Sequence, residues 1–176
     1  MKKMKILIIL MVILTVFLSS CGKNEVADDT AELTSIRDLV HDYSIGNIKG
    51  ESASITSSEL IITKEDGKKV AIDISKEDFF VSIAPYIKET HPCQNHSLTG
   101  CRGELPNKEF HVLIEDAKGN IVIDENLTSL PNGFIDLWLP RNKTYNITIE
   151  YDGLVAKGKI STSYGSNTCI TTLQLQ

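Results

Sequence analysis

The chain has 176 residues, with 18 lysines and arginines against 23 aspartates and glutamates, a formal charge of −5 and 41% hydrophobic residues. That length allows one ordinary domain or two small ones. An acidic chain without a basic stretch argues against a nucleic-acid partner and against adhesion to anionic lipid by charge.

The N-terminus reads as an export address. Lys2, Lys3 and Lys5 form a positive start, and the apolar run Ile6 to Leu18 is interrupted only by Thr15. Such a run is too short to span a bilayer and suits the core of a signal peptide. Leu18-Ser19-Ser20-Cys21 has the form of a bacterial lipobox. It predicts a lipoprotein signal over residues 1–20, cleavage before Cys21 and acylation of its sulfur. Several acyl chains anchor durably, since each buried methylene contributes about 0.8 kcal/mol. An ordinary secretory signal with a stray cysteine, or a short uncleaved anchor, is the plainer alternative. Cleavage leaves 156 residues with a formal charge of −8.

Residues 21–31 are polar and acidic and read as a flexible tether. A helix follows, with Leu33, Ile36, Val40 and Tyr43 at three- and four-residue steps and Leu39 beside them. Thr30 is placed to cap its start and Gly46 to end it. His41 lies off the stripe and is expected in solvent. Leu60 to Thr63 and Val70 to Ile74 then flank an Asp66-Gly67 turn, a hairpin signal. Phe79, Val81 and Ile83 alternate as a strand would, although Ser75-Lys76-Glu77-Asp78 resembles a helix cap and leaves a helix open there.

From Phe110 onward the pattern is β throughout. Strands are expected around Phe110–Ile114, Ile121–Ile123, Phe134–Leu139, Tyr145–Tyr151, Leu154–Ile160 and Cys169–Leu175, with turn residues between them. The expected fold is α+β. A small helix-plus-strands lobe (residues 32–86) and a Cys/His loop (87–103) precede an antiparallel β-sandwich (104–176) with Trp138 in its core.

The loop holds the chemistry. His91, Cys93, His96, Cys101 and Glu104 fall in one short run, and Cys169 is the only other cysteine beyond Cys21. Pro92 and Gly100 bend the chain beside Cys93 and Cys101, so one loop can turn both sulfurs inward. Thiolates select Cu(I), zinc or iron–sulfur chemistry over magnesium or calcium. Structural zinc takes four ligands, often at short Cys-x2-4-Cys spacing, and clusters usually take four cysteines. Neither pattern is met, whereas Cu(I) accepts two or three sulfurs. His91 and His96 are candidates to add a nitrogen, and Glu104, a hard donor, to support a neighbour by hydrogen bonding. A Cys93–Cys101 disulfide is the alternative in an oxidising compartment, stabilising by roughly 2–3 kcal/mol. The odd cysteine count favours metal, since a disulfide strands one thiol. His111 reads as a partly exposed strand residue. No catalytic Ser-His-Asp order, P-loop or nucleotide motif stands out.

Several segments together carry a family likeness. They are Ser82-Ile83-Ala84-Pro85-Tyr86, Thr90-His91-Pro92-Cys93, His96-Ser97-Leu98-Thr99-Gly100-Cys101 and Gly103-Glu104-Leu105-Pro106. Farther on are Asn132-Gly133-Phe134, Leu137-Trp138-Leu139-Pro140-Arg141, Tyr151-Asp152-Gly153 and Thr168-Cys169-Ile170-Thr171-Thr172-Leu173-Gln174-Leu175. In these the chain resembles the CueP-type copper-binding proteins of the bacterial envelope. The resemblance implies copper bound outside the cytoplasm by Cys93, Cys101 and Cys169, a role in copper resistance and supply to a partner protein, a two-lobed shape and pairing into homodimers. The lipobox is a departure, because the likeness is to soluble periplasmic proteins. A Lys-, Ile- and Asn-rich chain suits a Gram-positive host, where an acylated Cys21 holds the protein at the outer face of the cytoplasmic membrane.

Three readings follow. The chain is a Cu(I)-binding lipoprotein that buffers or transfers copper through Cys93, Cys101 and Cys169 with help from His91 and His96. Alternatively it is a thiol–disulfide protein that reduces Cu(II), or a structural lipoprotein stapled by a disulfide. On all three it is not an enzyme.

Overall fold

The computed structural model of the protein describes residues 35–176. The signal segment, Cys21, the tether, Thr30 and Leu33 lie outside the described residues. Among the described residues no helix is long and apolar enough to cross a membrane.

Helix α1 spans Ile36–Ser44 and is capped by Ser35, whose hydroxyl accepts the Asp38 N–H at 3.1 Å. Ser35 thus takes the capping position assigned above to Thr30, and Asp38 in the first turn complements the helix dipole. The helix buries Val40 and Tyr43 and leaves His41 exposed. Gly46 follows its end at φ +73°. Strands β1 (Ser52–Ile55), β2 (Glu59–Thr63) and β3 (Lys69–Asp73) form an antiparallel meander, with Thr63 opposite Lys69 across the Asp-Gly turn.

The next element is a strand and not a helix. β4 (Phe79–Ile83) has all five residues buried. Its odd residues, Phe79, Val81 and Ile83, join one apolar cluster, while Phe80 joins another with Val40, Tyr43, Ile55 and Leu60. A strand buried on both faces is the middle of something. β4 is flanked by β8 (Ile135–Leu139), antiparallel, and by β11 (Cys169–Ile170), parallel. Trp138 of β8 accordingly lies edge-on to Phe80 at 5.2 Å and under the Arg37 guanidinium, on the helix side and outside the sandwich core expected for it.

The remaining strands make one antiparallel sheet. They are β6 (Glu109–Asp116), β7 (Ile121–Thr128), β9 (Thr144–Tyr151) and β10 (Leu154–Ser161), in the order β10-β9-β6-β7. Asp152 and Gly153 both have positive φ, the two-residue turn that matches strand twist, so Tyr151 pairs with Leu154. The inward residues Phe110, Val112, Ile114, Tyr145, Ile147 and Ile149 pack on Phe79, Val81 and Ile83.

A helix-plus-sheet fold is therefore present, in three layers of sheet. The sandwich is not wholly antiparallel, and β4, from the stretch assigned to the first lobe, is the middle strand of a sheet completed by the second. The final strand has two residues instead of seven. Beyond it Thr171, Leu173 and Leu175 keep the buried alternation, but pairing shrinks to Tyr86 opposite Gln174. Arg141 fastens the layers by donating to the carbonyls of Glu77, Ser57 and Ile74 at 2.5–2.9 Å.

Candidate metal centre

The loop after β4 is not free chain. It carries β5 (His96–Ser97), which adds to the exposed edge of β1 with Ile55 opposite His96. On its other side it is sewn to β11. Gln94 O accepts the N–H groups of Thr168 and Cys169 at 3.0 and 3.1 Å, and His96 N–H donates to the Thr168 hydroxyl at 3.0 Å. That hydroxyl in turn donates to Ile55 O at 2.7 Å. Thr168 is thus the buried rivet that brings Cys169 to the loop.

Cys101 is set by a tight turn in which its N–H bonds Ser97 O at 2.9 Å. Gly103 then approaches Gly133 so closely that a Cβ on either would meet backbone at 2.5 Å. Gly133 also has φ +85°, so glycine is required there on two counts. Glu104 takes no place among the sulfurs. Its carboxylate accepts Ile87 N–H at 2.6 Å and Lys88 N–H at 3.0 Å, and these bonds hold it below the usual carboxylate range. It pins the segment that leads into His91 by these backbone bonds and touches none of the candidate ligands.

The result is convergence. One donor atom from each of His91, Cys93, Cys101 and Cys169 lies within 4.8 Å of all the others. Cys93 Sγ and Cys101 Sγ are 3.7 Å apart, and all three cysteines are free thiols. A disulfide needs about 2.05 Å. Two sulfurs sharing one tetrahedral ion at about 2.3 Å each sit ~3.8 Å apart, so the spacing fits a shared ion. Cys169 is buried and the other three residues half-buried. A cleft of about 280 Å³ lined by His91, Arg102 and Glu104 opens beside them.

Of the five residues singled out in the sequence, His96 stands outside this quartet. It is fully buried, with its ring 4.5 Å from that of Phe134, and it lies close enough to Cys101 to favour the thiolate there. His111 is exposed and pairs with Asp124 at 2.9 Å, remote from this chemistry.

The three thiols share charge unequally. Cys101 is held below the ordinary thiol range, chiefly by the hydrogen bond from Cys169, with His96, His91 and the Ser97 backbone adding to it. Cys169 is pushed up by that same bond and by burial. Cys93 is pushed up mainly by burial. The first negative charge therefore settles on Cys101, and the other two sulfurs keep their protons.

Sequence reasoning missed Phe134 as a site residue and placed it only within a family-like segment. Its buried ring sits against both imidazoles, 4.5 Å from His96 and 6.4 Å from His91, and packs with Ala84 and the three cysteines. Nothing local separates it from an ordinary core aromatic.

Layered sheets that bring three thiols and an imidazole within reach of one ion define the class: a β-rich protein whose side chains can hold a soft metal. The comparisons agree. Residues 40–174 match the sequence model of the family described as periplasmic copper-binding protein CueP. A solved crystal structure of S.CueP is 39% identical, with a TM-score of 0.76, and the match covers 81% of this chain and 89% of that one. No curated protein matches. The chain belongs to the CueP family.

Proposed function

We propose that the protein is an extracytoplasmic copper-binding lipoprotein that holds Cu(I) on Cys93, Cys101 and Cys169, with His91 at hand, to buffer copper or pass it to a partner protein. The observation that carries this reading is the meeting of those four donors within 4.8 Å. Soft sulfur with one imidazole suits Cu(I) better than hard cations. Copper is cargo here, bound one ion at a time, and no catalytic turnover is assigned. The acylated Cys21 would keep that cargo at the outer face of the cytoplasmic membrane. The test is titration of reduced, delipidated protein with Cu(I) against a chromogenic chelator. Wild type should compete and Cys101→Ser should not. Equal behaviour of the two ends the proposal.

A pH dependence follows from the unequal thiols. Copper needs three thiolates, and only Cys101 is held low, so binding should expel about two protons, from Cys93 and Cys169. Falling pH restores those protons and weakens binding. Apparent Cu(I) affinity should change by up to ~100-fold per pH unit, measured by competition at pH 6, 7 and 8. A flat profile would show that Cys93 and Cys169 are not giving up protons to the metal.

A second reading rests on the 3.7 Å Cys93–Cys101 separation. Two thiols can give one electron each to two Cu(II) ions, forming a disulfide, two Cu(I) and two protons. Counting free thiols before and after anaerobic Cu(II) addition decides it, and an unchanged count rules the reduction out.

A further inference from the structure

The C-terminal tail changes register beside the metal centre. Ser82 lies opposite Cys169 and Ile83 opposite Ile170, in parallel. An unbroken ladder would then set Leu173 opposite Tyr86, yet Tyr86 faces Gln174. The backbone bonds show where the extra residue sits. Ser82 N–H and Ala84 N–H donate to Thr168 O and Ile170 O at 2.8 and 2.9 Å. The regular two-residue step leads next to Thr172 O, but Tyr86 N–H takes Leu173 O instead, at 3.1 Å. The tail therefore bulges at Thr171 and Thr172, two residues past Cys169. Bulges of one residue gather next to functional sites, where they end a ladder or re-aim the chain.

The bulge leaves the Thr171 carbonyl to a side chain, and it accepts the Thr90 hydroxyl at 2.7 Å. Thr90 immediately precedes His91. One hydrogen bond thus ties the segment bearing the buried sulfur to the segment bearing the imidazole. Other ties lie farther from the ligand. Leu175 N–H donates to Tyr86 O at 2.8 Å, the Gln174 amide to Ile87 O at 3.1 Å, and Glu104 holds Ile87 and Lys88. The chain between Tyr86 and His96 is neither helix nor strand. A ligand on such chain is held only by its neighbours' bonds, and a metal that recruits an unheld ligand must itself offset the entropy of ordering it.

We propose that Thr90 is a positioning residue for copper binding: its hydroxyl, bonded to the bulged Thr171 carbonyl, keeps His91 preset beside the three sulfurs. This rests on the copper-binding reading for its affinity arm alone. The imidazole then joins the ion with its segment already in place, as supporting partners do for metal ligands in general. Thr90→Val keeps the shape and removes the donor. Thr90→Ser keeps the donor and removes the methyl. Thr90 is exposed, so neither exchange threatens the fold.

The experiment begins with NMR of the reduced, metal-free protein. The His91 and Phe134 rings meet edge-on, with centroids 6.4 Å apart, so their ring protons should show a through-space contact. Wild type and Thr90→Ser should keep that contact, and Thr90→Val should lose it. Cu(I) competition follows. Thr90→Val should bind roughly tenfold more weakly, and Thr90→Ser should restore wild-type strength. His91→Ala supplies a readout that a merely structural role would not move. In that background Thr90→Val should weaken binding no further, since no imidazole is left to place. A ring contact that survives in Thr90→Val overturns the proposal, as does a Cu(I) affinity within about twofold of wild type. Failure of Thr90→Ser to restore binding removes the hydroxyl from the argument and overturns it too. So does a tenfold loss that persists beside His91→Ala, because the bond then acts through something other than the imidazole. A wild type that fails to hold Cu(I) defeats the copper reading, and the ring contact, read without metal, still decides whether Thr90 places His91.

Discussion

Phe134→Ala should destabilise the protein by about 3–5 kcal/mol, the usual cost of emptying a fully buried aromatic site. In a domain of this size that is a fall in Tm on the order of 10–15 °C, read by thermal unfolding of the reduced protein. The site will not collapse to fill the gap, because its walls are fixed. Phe134 N–H bonds Asn132 Oδ1 at 3.0 Å, its carbonyl accepts Leu130 N–H at 2.7 Å, and Gly133 is pressed against Gly103. The space vacated adjoins both imidazoles and all three sulfurs. Water admitted there competes for His91 and stabilises free thiolates, so Cu(I) binding should weaken together with stability. Phe134→Leu separates the two effects. It restores most of the apolar volume, so the loss should fall to roughly 1–2 kcal/mol, but it offers no ring to either histidine. A Phe134→Ala protein that melts within a few degrees of wild type would show that this ring does not organise the centre.

The parts of this fold that can be read from sequence are those written in local code. Asp66-Gly67 and Asp152-Gly153 are turns by chemistry, and the strands beside them follow from the alternation of their own residues. The helix stripe Ile36, Val40, Tyr43 is equally local. What is not local is which strands share a sheet. Phe79, Val81 and Ile83 announce one buried face, but the burial of Phe80 and Ser82 follows from helix α1 and Trp138 arriving on the other side. The parallel pairing of Cys169 with Ser82 depends on a connection that no nearby residue encodes.

The metal centre divides in the same way. Cys93 and Cys101 declare themselves by proximity, and Cys169 by being the odd thiol. His91 and His96 are indistinguishable in sequence, since each lies near Cys93. The fold tells them apart: His91 meets the sulfurs, while His96 is drawn into β5 and turned toward Ser82. A serine within Phe79–Ala84 and an aspartate within Phe134–Leu139 were the available signals. A polar residue in a buried strand asks for a partner, and each of these is the other's.

Cys169→Ser separates copper holding from copper reduction. Cys169 is 1% exposed, and β11 and Gln94 fix its backbone, so the exchange swaps a soft buried donor for a hard hydroxyl with little room to move. Cu(I) then keeps two sulfurs and loses the third, and competition should show binding weakened by at least ~100-fold, about 2.7 kcal/mol. Cys93 and Cys101 still stand 3.7 Å apart in this variant. If the protein also reduces Cu(II), that pair should go on losing two thiols per two Cu(I) produced. Cys93→Ser should weaken Cu(I) binding to a similar extent and should also abolish reduction by the Cys93–Cys101 pair. Retention of Cu(I) by Cys169→Ser at wild-type strength would remove the third sulfur from the site and leave the Cys93–Cys101 pair as its whole chemistry. Loss of reduction in Cys169→Ser would mean instead that electrons leave only once copper is held by all three sulfurs, making binding the first step and electron transfer its consequence.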